Sequence, residues 1–283
     1  MINMRINNNV SALNAQRQAG INNNSVANRV EKLSSGRQIN RAADNAAGLA
    51  ISEKMRTQIL GTMAASRNTQ DAVSLIQVAE GGLQNMQSMM QRARELAVQS
   101  ANGTNDDAVD RAALQTEFAN IVAEVDDTAA TTQFNGMNVL DGTGEAVTIQ
   151  AGPNAGDTVD IDIGTMTAAA LLGFEGAEYD AATDANVSSA AAASNAIGTV
   201  DNAVNDISLQ RAELGAMQNR LEFRMQALDI QAENATAAES RIRDTDMAKM
   251  MSELTSKSIL QQASNAMLAQ ANARPQNILG MLG

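Results

Sequence analysis

The 283-residue chain contains no cysteine and no histidine. The first absence removes disulfides, thiol nucleophiles and thiolate metal sites; the second removes the commonest general base and the commonest metal ligand. There is no tryptophan, and aromatic residues make up only 2%. Proline occurs twice, at Pro153 and Pro275, so the strongest helix breaker is missing from nearly the whole chain. No apolar run approaches the length that crosses a bilayer, so membrane insertion is not expected. The first ten residues, MINMRINNNV, lack the continuous apolar stretch of a cleaved signal peptide.

The apolar surface comes from aliphatic residues and sixteen methionines, a side chain that adapts to imperfect interfaces. The net charge is −12, which argues against nucleic acid as a partner. It is unevenly spread. Residues 1–46 hold six Lys/Arg against two Asp/Glu and residues 243–283 hold four against three, which leaves −17 on the middle. Two mildly basic ends flank an acidic body, and the ends are expected to share an environment.

Helical periodicity dominates. Ile76, Ala79, Leu83, Met86, Met90, Ala93 and Ala97 step alternately by three and four, as do Leu114, Phe118, Ile121 and Val125. So does the series from Ile197 through Val200, Val204, Ile207, Leu214, Leu221 and Leu228 to Ala235, with polar interruptions at Arg211 and Gln218. Sustained heptads of this kind predict long helices packed at shallow angles. The expected fold is mainly α: a long antiparallel, coiled-coil-like helical rod with a small β-hairpin region. A helix over about residues 41–99 would be ~90 Å long at ~1.5 Å per residue. The segment ANGTNDD, residues 101–107, reads as a turn, with Thr104 or Asn105 capping the next helix. Between about residues 135 and 180 the period becomes two: Val147 and Ile149, then Val159, Ile161 and Ile163, separated by GPNAG. Gly81–Gly82, in mid-helix with no strand before it, predicts close packing or a bend rather than a phosphate loop. Asp106, Asp107 and Asp110 do not have calcium-loop spacing, and no catalytic motif is present.

The chain ends differ. Asn7–Asn9 and Asn22–Asn24 are poor helix formers, and the apolar stripe is thin: Ile6, Val10, Leu13, Val26, Val30 and Leu33 on one arm. On the other it is Met247, Met250, Leu254, Ile259, Ala263 and Met267. Such arms are expected to order only against each other or in a polymer, whose core these stripes would form.

The segment EKLSSGRQINRAADNAAGLAISEKMRTQILG, Glu31–Gly61, closely resembles the N-terminal block of bacterial flagellins. The likeness continues in QRARELAVQ (Gln91–Gln99), TQFNGMNVL (Thr132–Leu140), QRAELGAMQNRLE (Gln210–Glu222), TAAESRIRDTDMA (Thr236–Ala248) and Met267–Leu279. Only roughly residues 142–195 lack it. Departures from the family pattern fall at Arg37, Gln38, Asn45 and Ala273. The resemblance implies a terminal helical domain of residues 1–46 with 243–283, lining the filament, and a helical rod domain of residues 47–242 without large outer domains. It implies a structural subunit, with no enzymatic activity and no cofactor, that self-assembles into the extracellular flagellar filament used for motility. Implied partners are further copies of the chain, the flagellar export apparatus, a chaperone on the C-terminal segment, and hook-associated and cap proteins. Export would proceed without a cleaved signal peptide. The resemblance also implies a contact with Toll-like receptor 5 on the monomer at Arg92, Leu96 and Glu117. A hook–filament junction protein and a non-polymerising secreted coiled-coil adhesin are the alternative readings.

Overall fold

The computed structural model describes residues 9–106, 109–143, 146–173 and 186–282, the last eight of these as backbone alone. Among the described residues, six helices and four short strands follow in the order α1 (Val10–Ser35), α2 (Ala46–Ser100), α3 (Asp110–Thr131), β1 (Gln133–Phe134), β2 (Met137–Asn138), β3 (Val147–Gln150), β4 (Thr158–Ile161), α4 (Ala168–Leu171), α5 (Ala190–Arg243) and α6 (Met247–Leu282). The mainly helical fold with a small β region is therefore as the periodicity predicts. The chain divides into two compact units: Ile59–Ala232, and Met1–Gln58 with Glu233–Gly283.

The central unit holds the core. On α2, Ile76, Ala79, Leu83, Met86, Met90, Ala93 and Ala97 are all fully buried, as their three-and-four spacing requires. They meet Val200, Ala203, Ile207, Leu214 and Leu221 of α5 in one continuous cluster. Arg211, which interrupts the α5 stripe, is kept at the edge of this seam by reaching Gln87 and Glu80 of α2. On α3 the buried series is Phe118, Val122, Val125 and Ala129, while Leu114 and Ile121 are only half-buried. The expected stripe is thus shifted. Two adjacent apolar residues, Ile121 and Val122, compete for the seam, and the 3.6-residue turn of a short helix favours the second.

Strands β3 and β4 pair antiparallel with Val147 opposite Ile161 and Gln150 opposite Thr158. Val159 and Ile161 face the core and Asp160 faces water. A second hairpin pairs Gln133–Phe134 with Met137–Asn138. Its turn residues, Asn135 and Gly136, both have positive φ (52° and 78°), the geometry for which Asn-Gly is the strongest short-range signal. Close packing of the glycine pair holds at Gly82 only: a Cβ there would stand 2.7 Å from Leu140 Cδ1, whereas one on Gly81 meets nothing within 4 Å.

Two helix starts differ from expectation. α2 begins at Ala46 rather than near Arg41, because the Asp44 carboxylate accepts from the backbone N–H groups of Asn40 and Arg41 and locks a turn. Asn45 then caps the helix by accepting from the Gly48 N–H at 2.9 Å. α3 begins at Asp110, not after Thr104 or Asn105, and its N-cap is Val109, which makes no side-chain bond. Asp110 instead accepts from the Asp106 N–H at 3.1 Å, so the turn closes one step later. Asp107 lies outside the described residues.

In the terminal unit, α1 ends at Gly36 in a left-handed conformation (φ 69°). The next residues pair with the α5–α6 junction: Gln38 donates to the Arg243 carbonyl at 2.7 Å and Thr245 to the Gly36 carbonyl at 3.0 Å. Arg243, buried, pairs with Glu53 at 2.7 Å.

Candidate assembly surface

Helices α1 and α6 pair antiparallel, because Asn9 donates to the Ala271 carbonyl at 2.8 Å while Arg29, twenty residues on, pairs with Glu253. Their seam has full heptad spacing on both sides. On α1 it runs Ala12, Ala15, Ala19, Asn22, Val26, Arg29, Leu33; on α6 it runs Met250, Leu254, Lys257, Gln261, Ser264, Leu268, Ala271. Each of these residues is buried or half-buried, yet few are large and apolar. At its centre Asn22, 4% exposed, donates to Ser264 Oγ at 2.7 Å. Gln261 donates to Asn23 at 2.7 Å along the flank.

The apolar stripe anticipated for these arms lies mostly elsewhere. Val26, Leu33, Met250 and Leu254 enter the seam, but Val10, Leu13, Val30, Met247, Ile259, Ala263 and Met267 are exposed. Ile6 lies outside the described residues. Among the described residues, the buried apolar side chains of the terminal unit are Ala19 and Ile39 alone. Against them, Val10, Leu13, Ile21, Val30, Ile51, Met247, Met251, Ile259, Leu260 and Met267 stand 45–65% exposed. Burying a large aliphatic side chain is worth about 1.5–3 kcal/mol, so the unit leaves most of its hydrophobic stabilisation unused. Sequence reasoning missed the seam because it looked for large apolar residues; the three-and-four spacing of Ala12, Ala15, Ala19, Asn22 and Val26 carried the signal.

On the central unit, Arg92 and Glu117 are brought together: Nη2 and Nε of Arg92 donate to one Glu117 oxygen at 2.8 and 3.2 Å, and Nη1 donates to Glu95 at 2.9 Å. Both partners are about half exposed, at 51% and 48%. The carboxylates, Glu117 first, hold the guanidinium pKa above its ordinary value. Leu96 is not on this surface; at 1% exposure it lies in the core beneath. Among the described residues no group of three or more acidic side chains is placed to hold a metal ion, and no helix is long and apolar enough to cross a membrane.

Residues 6–145 match the family model of the bacterial flagellin N-terminal helical region, and residues 197–282 match that of the C-terminal helical region. The chain is 50% identical over 279 residues to a flagellin of Halalkalibacterium halodurans, covering 99% of this chain and all of that one. It is likewise 50% identical over 293 residues to the flagellar filament 31.3 kDa core protein of Treponema maltophilum, with 99% of this chain and all of that one covered. A crystal structure of Bacillus cereus flagellin is similar at 33% identity and a TM-score of 0.49, covering 61% of this chain and 94% of that one.

Proposed function

The chain belongs to the bacterial flagellin family, and we propose that its terminal helices join one subunit to the next by burying on further copies the apolar rows they leave bare. It is a structural subunit that polymerises into the extracellular flagellar filament of motility. The observation that carries the joining role is the imbalance among the described residues of the terminal unit: two buried apolar side chains, Ala19 and Ile39, beside ten large ones that stand open. A helix pair so arranged is a weak unit alone and a strong one when its outer faces are covered. Residues 1–46 with 243–283 are read as the polymer-core domain, and residues 47–242 as the rod carrying the compact core.

Seeded growth tests this. Added to short filament fragments, the chain elongates them, as seen by electron microscopy. A Leu13→Gln, Ile259→Gln variant alters exposed residues only, so its helix content is unchanged and its elongation fails. Normal elongation by that variant would overturn the reading.

The remaining roles follow from the family. Work is done by polymer geometry rather than by catalysis. Export would use the flagellar secretion apparatus with a chaperone on the C-terminal segment and no cleaved signal peptide, and hook-associated and cap proteins would meet the filament ends. A hook–filament junction role is disfavoured, since relatives matched along their whole length are filament proteins. For Toll-like receptor 5, the contact on the monomer is read as the exposed Arg92–Glu117 pair, with Leu96 supporting it from below. Arg92→Ala with Glu117→Ala is expected to abolish receptor signalling with the fold intact, and unchanged signalling would remove the contact.

A further inference from the structure

We propose that Met247, Met251 and Met267 on α6 are three separate oxidation sites at which peroxides switch off assembly of the free subunit. The proposal rests on the filament reading above. Along α6 the positions Met247, Met251, Thr255, Ile259, Ala263 and Met267 are all exposed, in a row that winds about 200° round the helix. Three of the six are methionine, at 48%, 51% and 65% exposure. The core methionines contrast sharply: Met86 and Met90 are 0% exposed and Met166 is 6%. Met250, beside the row, is half-buried in the seam, and its Sδ accepts from Arg29 Nη1 at 3.5 Å. A solution oxidant therefore meets the α6 row before these other sulfurs.

The chemistry needs no protein base. A thioether lone pair attacks one peroxide oxygen and the O–O bond breaks. The sulfur is oxidised to the sulfoxide and the peroxide is reduced to water, the departing oxygen taking up the proton from the attacked one. The product carries a strong acceptor dipole where an apolar group stood. On a free subunit that dipole is hydrated and costs little. Covered by another copy it has no donor, and an unpaired buried polar group is costly. Oxidation therefore leaves the monomer folded and penalises only its addition to the filament. Sulfoxide reductases reverse the step, so the block is reversible.

The test uses the full chain, hydrogen peroxide and filament seeds. Peptide mass mapping is expected to find single-oxygen additions first at Met247, Met251 and Met267, and also at the exposed Met63 and Met137. The oxidised chain should keep its circular dichroism but elongate seeds about tenfold more slowly, the loss expected for a penalty at the low end of burying one unpaired polar group. Methionine sulfoxide reductase should restore the rate. A Met247→Leu, Met251→Leu, Met267→Leu variant, which keeps Met63 and Met137, should elongate equally well with and without peroxide. Should that variant grow poorly untreated, reductase rescue of the wild-type chain decides the matter. Unslowed growth by a chain carrying all three sulfoxides overturns the proposal, as does absence of rescue. Failure of the untreated wild-type chain to elongate would instead overturn the filament reading itself.

Discussion

The guanidinium of Arg111, in the first turn of α3, donates from Nε to the carbonyl of Ser100 and from Nη2 to that of Asn102, both at 2.8 Å. It thereby takes up carbonyls that the end of α2 leaves without helical partners. The same corner is tied to the approach to α5, since Ser100 Oγ donates to the Val187 carbonyl and Gln115 accepts from the Val187 N–H. Arg111 is 5% exposed and Ser100 is fully buried, so removing the guanidinium strands the Ser100 carbonyl, while the exposed Asn102 carbonyl keeps the Asn105 N–H. Arg111→Met is expected to destabilise the central unit by about 2–4 kcal/mol. Arg111→Lys should recover only part, because an ammonium lacks the fork that reaches two carbonyls. Urea unfolding followed by circular dichroism checks both, and a midpoint unchanged in Arg111→Met would show the corner is held by other bonds.

The glycine pair in α2 gives opposite signs at adjacent positions. Gly81 has open space where a Cβ would go, so Gly81→Ala should stabilise by about 0.5–1 kcal/mol through helix propensity and a less flexible unfolded chain. A Cβ on Gly82 would lie 2.7 Å from Leu140 Cδ1 and 3.0 Å from Thr132 Oγ1. Leu140 is fully buried and has little room to move. Overpacking should outweigh propensity, leaving Gly82→Ala destabilised by about 1–2 kcal/mol. Comparing the two urea midpoints is decisive, and stabilisation by both substitutions would mean that Leu140 can swing aside.

Much of the central unit was legible in the sequence, because large apolar residues at Ile76, Leu83, Met86 and Met90 mark their own face of α2. The residues that make the terminal seam were not. That seam uses alanine, asparagine, serine and lysine, while the conspicuous residues Leu13, Ile259 and Met267 face outward. A pattern of large apolar residues reports what must be buried somewhere, without saying whether the partner is the same chain. The β1–β2 hairpin was missed although Asn135–Gly136 announces it, since strands of two residues show no alternation. The late start of α3 goes with Asp110 accepting from the Asp106 N–H, a choice of capping partner that helix propensity does not settle.

Acid should act on the loop between α1 and α2. Asp44 sits below its ordinary carboxylate value of 3.8, chiefly because it accepts from the Arg41 N–H; the Lys32 ammonium and the Asn40 N–H act in the same direction, against some burial. A depressed folded-state pKa means that the carboxylate stabilises the loop fully above the unfolded value and loses that contribution as pH falls through the folded one. The loop is therefore expected to be unchanged from neutral pH to about pH 5 and to loosen below about pH 4. The amide proton shifts of Asn40 and Arg41 report this directly. They should titrate with a midpoint below 3.8 in the wild-type chain, and the transition should vanish in Asp44→Asn. A midpoint above 3.8 would mean that burial outweighs the hydrogen bonds.

Asn22 sets a different balance, between the strength of the α1–α6 seam and its register. A buried asparagine at a heptad position fixes alignment at a cost in stability, and here its amide finds Ser264 Oγ at 2.7 Å and the Leu260 carbonyl at 3.4 Å. Ser264 Oγ also donates to the Leu260 carbonyl at 2.7 Å, so losing Asn22 leaves no hydroxyl proton stranded. Asn22→Leu is therefore expected to tighten the pair by about 1 kcal/mol, seen as slower proteolysis of residues 9–35 and 247–274 in the free chain. Free of the asparagine, the helices can also slide by a heptad, which changes the outward positions of Leu13 and Ile259 relative to each other. Seeded growth of the variant should slow even as its arms become more protease-resistant. Faster proteolysis would assign Asn22 to stability alone, and tighter arms with unimpaired growth would show that register is held by Arg29–Glu253 instead.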